Sequence, residues 1–533
     1  MDKNEFTDNQ KNIIKLYKRV LKKKKFKPSY ADFYDFGITK ASIKGAFVSL
    51  KNLTEILRKS DPKVFKDIVD EALFTKENHT KITDMVKDTK RFFITTAVAG
   101  CKVDSRFLAS INNYCKRNKA ELLVLPCADP SSGNGWELDP ALSGKTIVFD
   151  NLALNNNLFI SSIELSAKHI DPTTGLDRIG QRNGSFIYAS PKQRMKPVAV
   201  GNNKLPHVLM TTGSITKPEY YTDRYMSKRT SYIANHDHVM GGIIVEVEND
   251  NSYYFRQVQS NGNGEFIDLG RLYSSKSCKK INAAAFVEGD RHAGETDPNA
   301  EKVWAEVVDI VKPEYYIVHD VFNGYSINHH TANMKLTSAK IKSKVKLTAE
   351  MDLVVEAITR LAKKSKVVIV KSNHDEWLDR YLETGLFLDD VDNIRLCLEL
   401  SLKALDGKDP LQAGIDDLLD SETKKRVRWL GRDESFKIAR IELGAHGDKG
   451  PNGSRGSING LEKAYGNCVI GHSHSPQILR GAWQVGTSTF LKVSYNKGPS
   501  SWMQTSCIVY PNGSRQLIHS VEGKWRLKDG KVK

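Results

Sequence analysis

The sequence predicts a mixed α/β protein of two or three domains, and three observations support this prediction. Its 533 residues exceed what one hydrophobic core usually organises. Between about residues 91 and 126, the apolar pattern predicts a strand, a helix and a second strand. From about residue 280 onward, short apolar strands alternate with amphipathic helices. We therefore expect domains at 1–85, 86–278 and 279–533.

The composition is that of a soluble globular protein, with 40% hydrophobic and 27% charged residues. No apolar run approaches the roughly 18 residues that a membrane span needs, and the first residues, "MDKNEFTDNQ", contain no signal-peptide hydrophobic region. The seven cysteines never form a CxxC pair, which favours reduced thiols. A cytoplasmic protein without a membrane span is expected.

The net charge is strongly positive, at +17. Lys and Arg that neutralise phosphates release counterions, so a protein this basic is expected to bind a polyanion such as DNA. The alternative is a solvated basic surface without a partner.

The N-terminal region, 1–85, is predicted to be helical and carries the basic run "KRVLKKKKFKP". A turn at Gly37 and a cap at Thr39 precede a second helix. Its apolar residues fall at helical spacing and form one buried stripe: Ile43, Phe47, Leu50, Leu53 and Leu57. Lys40, Lys44 and Lys51 lie off this stripe, which would suit a DNA-binding helix-turn-helix. A small helical bundle used for packing or assembly is the alternative.

The middle region, 86–278, is predicted to be an accessory α/β domain. It begins with "RFFITTAVAG", "SRFLASINNYCKRNKA" and "ELLVLPCA" and continues with β-rich segments separated by Gly- and Asn-rich turns. The segment "ANHDHV" at 234–239 contains metal-capable residues but follows no apolar strand, so it indicates a surface loop. No catalytic role is predicted for this region.

In the C-terminal region, 279–533, five predicted strands end in side chains that bind metals. In chain order these are Asp290 and His292, Asp320, Asn373 and His374, His446, and His472 and His474. In an open α/β sheet, the carboxyl ends of the strands line one crevice. A single such motif would indicate a loop, but five in succession predict one shared site.

The predicted ligand set implies two metal ions. About seven nitrogen and oxygen ligands exceed what one tetrahedral zinc uses, and they suit two divalent ions that share a bridging carboxylate. Two ions about 3.5–4 Å apart stabilise both the attacking and the leaving oxygens of a displacement at phosphorus. Phosphoester hydrolysis is therefore the predicted reaction.

The ordered motifs "GDRHAG", "VHDVFNG", "KSNHDEW", "GAHGD" and "GHSH" resemble those of the calcineurin-like metallophosphoesterases over about 280–490. The resemblance implies a four-layer α/β/β/α sandwich. It also implies a first metal on Asp290, His292, Asp320 and His474, and a second on Asp320, Asn373, His446 and His472, with Asp320 bridging.

The same resemblance assigns His374 to protonation of the leaving group, and Asp375 to orienting His374 by accepting its other N–H. Two positions depart from the family pattern, because His319 and Ser372 stand where the family has glycine. Neither change removes a ligand, and both are small changes to the turn or to the residues around the ligands, so activity is still expected and substrate access is the property they call into question.

The whole-chain layout also resembles the early DNA-transfer, host-DNA-degrading proteins of large tailed phages, including stretches such as "FFITTAVAG" and "LPHVLMTTGSIT". This resemblance implies a manganese-dependent DNase of low sequence specificity in the host cytoplasm, with Mg²⁺, Zn²⁺ and Fe²⁺ as alternative cofactors. A homo-oligomer is expected, and a second phage protein is a candidate partner.

Basic segments between the motifs favour a nuclease over other phosphoesterases. "KKRVRWLGRD" places Arg426, Arg428 and Trp429 shortly before the fourth motif, and "AKIKSKVK" lies between the second and third. The Gly/Ser loop around Arg455 would close over a phosphate or form an inert turn. His329 and His330 would contact the scissile phosphate or belong to a polar loop.

Two alternative functions stay open at this point. The first is a phosphomonoesterase acting on nucleotides or phosphoproteins, although "NHDEWLDRYLETG" lacks the longer signature of phosphoprotein phosphatases. The second is a DNA-binding or DNA-transfer protein with a structural metal site.

Overall fold

The computed structural model describes residues 6–24, 28, 30–65, 75–128, 137–201, 205–220, 228–328, 341, 345–493 and 496–528. Within these ranges, helices and mixed sheets confirm the predicted α/β class. None of the helices there is long and apolar enough to cross a membrane. The helices are α1 (Asp8–Lys24), α2 (Lys40–Phe47), α3 (Leu50–Ser60), α4 (Lys76–Asp88), α5 (Ser105–Asn118), α6 (Asp177–Asn183), α7 (Lys228–His236), α8 (Pro298–Val311), α9 (Leu347–Ala362), α10 (Asp375–Glu383), α11 (Ile394–Leu405), α12 (Pro410–Leu418), α13 (Ser421–Lys424) and α14 (Ile458–Tyr465).

The N-terminal helices α1 to α3 share a small hydrophobic core of their own. Thr39 caps α2, as predicted, by accepting a hydrogen bond from the Ser42 N–H at 3.2 Å. The predicted single second helix is wrong, because the chain breaks at Val48, where φ is +64°, and Ser49 caps a new helix. The three lysines of the predicted DNA-binding face, Lys40, Lys44 and Lys51, are exposed.

Two smaller sheets form in the first half of the described chain. The first has five strands in the order β10 (Tyr253–Gln259), β9 (Gly241–Val247), β1 (Arg91–Val98), β2 (Glu121–Cys127) and β3 (Thr146–Ile147). The second has three, β11 (Phe266–Asp268), β12 (Arg271–Tyr273) and β13 (Cys278–Lys280). Because β1 and β2 are parallel and α5 connects them, the predicted strand–helix–strand unit is confirmed.

Two larger sheets carry the C-terminal motifs. A six-stranded sheet has the order β17 (Val427–Leu430), β16 (Lys366–Val370), β15 (Tyr315–His319), β14 (Ala285–Val287), β23 (Thr505–Val509) and β24 (Arg515–His519). A ten-stranded sheet has the order β18 (Lys437–Ile438), β19 (Ile441–Glu442), β20 (Cys468–Ile470), β22 (Ala482–Gln484), β21 (Gln477–Leu479), β7 (Arg194–Val198), β8 (His207–Thr211), β6 (Ser185–Tyr188), β5 (Leu158–Ser161) and β4 (Leu152–Asn155).

Alternating side chains pack these elements into layers. On β14, Val287 points into a core shared by the two large sheets, and Phe286 points into a second core beneath helices that include α8 and α9. On β20, Val469 enters the shared core, whereas Ile470 faces α14 on the outer side of the ten-stranded sheet. The order of layers is therefore helices, sheet, sheet, helices.

The predicted boundary between 278 and 279 does not separate two structural units. Strands β4 to β8, from the predicted accessory domain, complete the ten-stranded sheet, and Leu479 of β21 pairs with Arg194 of β7. Any strand can satisfy the backbone N–H and C=O groups of β7, however far away it lies in the sequence. The composition of the chain therefore does not reveal that β7 pairs with β21. The boundary at residue 85 also falls inside α4, where Val86 packs into the core between the sheets.

Candidate metal centre

The five predicted motifs follow strands of two different sheets. Strands β14, β15 and β16 are parallel neighbours in the six-stranded sheet, whereas β19 and β20 are parallel neighbours in the ten-stranded sheet. The argument from a single open sheet is therefore replaced by one from two packed sheets. The motifs meet between the carboxyl ends of two packed sheets, which brings side chains in from both sides of one site.

Four of the predicted ligands form what we term the first cluster: Asp290, His292, Asp320 and His474. All four side chains are buried, and one candidate ligand atom from each lies within 4.8 Å of the others. His292 Nε2 is 3.1 Å from His474 Nε2, and His474 Nε2 is 3.2 Å from Asp290 Oδ2. His292 Nε2 is 3.5 Å from Asp320 Oδ2.

The other predicted ligands form the second cluster, which shares Asp320 with the first. His446 Nε2 lies 3.3 Å from Asp320 Oδ2 and 3.1 Å from Asn373 Oδ1. His472 Nδ1 lies 3.2 Å from the same Asn373 oxygen. All seven predicted ligands thus meet in one site, with the Asp320 carboxylate between the two clusters.

The geometry of both clusters fits bound cations. Ligand atoms held at about 2.1 Å from one ion lie about 3.0 to 3.4 Å from one another. The separations between candidate ligand atoms, 3.1 to 3.5 Å, fall close to this range. Among the residues that the structure describes, Asp290 Oδ1 and Asp320 Oδ1 are buried and find no hydrogen-bond partner. Buried polar groups are normally satisfied, so these oxygens indicate an absent positive partner.

The backbone at four ligands adopts a conformation that side chains rarely take. φ is positive at His292, Asp320, His472 and His474, between +46° and +74°. Such strain costs of order 1–3 kcal/mol per residue and persists where the surrounding structure enforces it, as at functional sites. The loops are thus shaped to aim these four side chains inward.

Electrostatics set the protonation states of the site. Burial alone would raise the pKa of Asp320, but the imidazoles of His446, His374 and His292 lower it well below its usual range. Burial lowers the pKa of His292 to about 3. At His446, burial alone would lower the pKa, but the Asp320 carboxylate outweighs burial and raises the pKa to about 9. An ionised carboxylate and neutral imidazoles bind cations, and a cation would replace the His446 proton.

His374 lies at the edge of the first cluster, but the partner predicted to orient it is wrong. Its Nδ1 donates to the backbone oxygen of Asn323 at 2.8 Å, and its ring centroid is 4.5 Å from that of His292. Asp375 instead accepts a hydrogen bond from the Ser372 N–H at 2.8 Å. As the first residue of α10, Asp375 closes the turn that holds the motif through this hydrogen bond.

The two departures from the glycine pattern have different settings. Ser372 returns a hydrogen bond, because its Oγ accepts from the Asp375 N–H at 3.3 Å. His319 is fully buried, and within the described part of the chain neither of its ring nitrogens has a hydrogen-bond partner; its ring centroid is 5.6 Å from that of His446. Burial and the His446 charge lower its pKa to about 4, so it is a neutral imidazole beside the site.

The predicted DNA contacts are only partly brought to the site. Arg426 and Arg428 are exposed on and beside β17, and Arg428 pairs with Glu434 at 3.2 Å. Trp429 is partly buried and packs against the core beneath the helices, which reduces the ring face available for stacking on a base. Arg455 is exposed in its loop. His329, His330 and most of "AKIKSKVK" lie outside the described residues.

Sequence reasoning missed Arg432, which ties two motif loops together. Its guanidinium donates to both Asp448 oxygens, at 2.7 and 3.0 Å, and its Nε donates to Glu376 at 2.7 Å. Asp448 follows His446 by two residues, and Glu376 follows Asn373 by three. Arg432 lies in the stretch "GRD" and Asp448 in "HGD", but nothing in either stretch indicates that the two side chains meet.

Replacing Arg432 by alanine is expected to weaken Mn²⁺ binding by about 10- to 100-fold, the usual cost of losing a residue that supports metal ligands. The reason is that the loops of His446 and Asn373 lose their shared anchor. Isothermal titration with Mn²⁺ measures the effect. The control is Arg395→Ala, which removes an exposed pair with Glu399 on α11. Equal affinity in both variants would contradict the anchoring role.

Comparison with known proteins gives one strong relationship. The chain is 31% identical over 476 residues to Protein A1 of Escherichia phage T5, which covers 83% of each chain. This match confirms the predicted resemblance to a phage protein. No protein-family model and no solved structure matches the chain. Membership of the metallophosphoesterase superfamily therefore stays a prediction.

Proposed function

The chain belongs to the family of Protein A1 of Escherichia phage T5, and we propose that it is a two-metal phosphodiesterase that hydrolyses DNA. One observation carries the proposal. Seven nitrogen and oxygen ligands form two clusters that share the Asp320 carboxylate, with no thiolate among them. This ligand chemistry favours two hard or borderline divalent ions, with Mn²⁺ as the first candidate and Mg²⁺, Zn²⁺ or Fe²⁺ as alternatives.

The residues of the clusters divide the work of holding two ions. Asp290, His292 and His474 would hold one ion, Asn373, His446 and His472 the other, and Asp320 both. When bound, the two ions would lower the pKa of water and neutralise charge on the phosphoryl oxygens.

His374 supplies the proton for the leaving oxygen. Because the Asn323 carbonyl can only accept, Nδ1 keeps its proton, and in the protonated imidazolium Nε2 carries the second proton, which it gives to the leaving oxygen. The ring of Trp377 stacks on His374 at a centroid distance of 3.9 Å and fixes its plane. Burial lowers the pKa of His374 and so disfavours the imidazolium that donates the proton, whereas the Asp320 carboxylate raises the pKa and favours it.

Charge supports a nucleic acid as the substrate. The net charge of +17 favours a polyanion. Exposed cations that could contact it are the lysines of α2 and α3, Arg426 and Arg428. Contacts of this kind bind phosphates without reading bases, which fits a DNase of low sequence specificity.

The test is incubation of the purified protein with Mn²⁺ and plasmid or linear DNA, beside a His374→Gln variant. We expect the wild-type protein to cut both DNAs and the variant to be about 10²- to 10⁴-fold slower, the range for general acid–base catalysis. p-Nitrophenyl phosphate is the control substrate, because a monoesterase would hydrolyse it and spare DNA. Intact DNA with every metal tested would rule out the nuclease, and an equally fast variant would remove His374 from the mechanism.

A further inference from the structure

A cleft lies away from the candidate metal centre, between α5 and the turn that joins β12 to β13. Its volume is 770 Å³, and its polar lining is Asn112, Asn113, Lys116, Arg117, Ser275 and Lys276. Asn113 Nδ2 donates to the backbone oxygens of Ser274 and Ser277, at 2.8 and 3.0 Å. The helix and the turn are therefore joined, and the cleft has two fixed walls.

The charge of this cleft is entirely positive. The described residues that line it include no carboxylate, and the three cations among them, Lys116, Arg117 and Lys276, are exposed. Among the described residues, none of the three has a carboxylate within ion-pair distance. A fourth cation, Lys145, is held beside the cleft because its Nζ donates to Asn112 Oδ1 at 2.9 Å.

A second cleft on the same chain shows what a self-neutralised surface looks like. It has a volume of 390 Å³, and three lysines and three aspartates line it: Lys403, Lys408, Lys424, Asp409, Asp416 and Asp417. Lys403 pairs there with Asp417. The cations of the first cleft have no such counterpart, so their charge is available to an anion from outside the chain.

We infer that the cleft formed by α5 and the β12–β13 turn binds the phosphodiester backbone of DNA at a distance from the metal centre. Lysine and arginine supply the charge, and the Asn112 amide and the Ser275 hydroxyl are the uncharged donors that phosphates also use. A cleft this open admits a strand of a polymer. The inference rests on the proposed function for its choice of DNA as the polyanion.

The distance between the cleft and the metal centre has an upper limit set by the chain. Asp290 lies 14 residues after Lys276. At about 3.3 Å per residue, 14 extended residues reach at most about 46 Å. That distance corresponds to about 14 base pairs at 3.4 Å each. A duplex of 30 base pairs is therefore longer than the largest possible separation of the two sites.

The experiment compares two triple variants that lose the same charge. One is Lys116→Gln/Arg117→Gln/Lys276→Gln, and the control is Lys403→Gln/Lys408→Gln/Lys424→Gln. Binding of a labelled 30-base-pair duplex is measured by fluorescence anisotropy in EDTA between 50 and 200 mM salt, so that no cleavage occurs. The plot of log K against log salt has a negative slope, and losing three phosphate contacts makes that slope shallower by about 2.7. We expect this change in the cleft variant only.

Two outcomes would overturn the inference. One is an unchanged slope in the cleft variant. The other is the same change of slope in both variants, which would mean that DNA binding depends only on the total charge of the protein. Should the triple variant fail to fold, Lys276→Gln, on the turn, is expected to make the slope shallower by about 0.9. If the wild-type protein binds DNA in EDTA but never cuts it with metal, the proposed function is refuted and DNA binding by the cleft is not. If the wild-type protein cuts DNA and the cleft variant binds DNA normally, the inference about the cleft is refuted and the proposed function is not.

Discussion

Asp320→Asn is expected to abolish tight binding at both clusters and to slow DNA cleavage by about 10³-fold, equivalent to about 4 kcal/mol of transition-state stabilisation. The reason is its position, because Asp320 Oδ2 lies 3.5 Å from His292 Nε2 and 3.3 Å from His446 Nε2. Asparagine keeps the shape of the side chain but removes the charge that two dications would share. Mn²⁺ content after equilibrium dialysis measures the binding directly.

Two further variants make this expectation specific. Asp290→Asn is expected to lower Mn²⁺ content by about one ion, because Asp290 contacts only the first cluster. Asp309→Asn removes an exposed carboxylate that pairs with Lys364 and is expected to bind Mn²⁺ as the wild-type protein does. If the Asp320 and Asp290 variants lost the same number of ions, the shared role of Asp320 would be wrong.

Gly471→Ala is expected to disable the first cluster although residue 471 is not a ligand. A Cβ at this position would overlap Asp290 Oδ1 and lie 3.2 Å from His319 Cγ. The backbone cannot retreat easily, because the Gly471 N–H donates to the His446 oxygen at 2.7 Å. We expect a cost of about 1–3 kcal/mol in stability, typical of overpacking. A ligand displaced by about 1 Å would also slow cleavage by about 10²-fold.

The measurements are the unfolding midpoint in denaturant and Mn²⁺ titration. Gly431→Ala is the matched control, because the nearest atom to its added Cβ is Glu434 Oε2 at 3.9 Å. Normal Mn²⁺ affinity in Gly471→Ala would show that Asp290 moves without consequence, and would count against its assignment as a ligand.

The residues of the candidate site can be identified from the sequence because their signals are local. Each motif follows a short apolar strand, and Asp320, Asn373 and His446 can be placed at strand ends without knowing how the strands pair. The cap at Thr39 is equally local, because a hydroxyl and the start of an apolar stripe lie within a few residues.

Features that depend on distant pairing were not predictable in this way. That the motifs come from two sheets, and that Arg194 pairs with Leu479, follows from strand order, which has no local signature. The oxygen that orients His374 belongs to the backbone of Asn323, where any residue type would present the same carbonyl. Arg432 has a recognisable side chain, but its partners are 56 and 16 residues away.

The pairing of β7 with β21 also has a consequence for the order of events during synthesis. Arg194 leaves the ribosome about 285 residues before Leu479, its partner in the sheet. At about 5–20 residues per second, the edge of β7 waits about 15–60 s for that partner. An unpaired strand edge is a template for association with other chains. The middle of this protein is thus most exposed to misassembly while the rest of it is still being made.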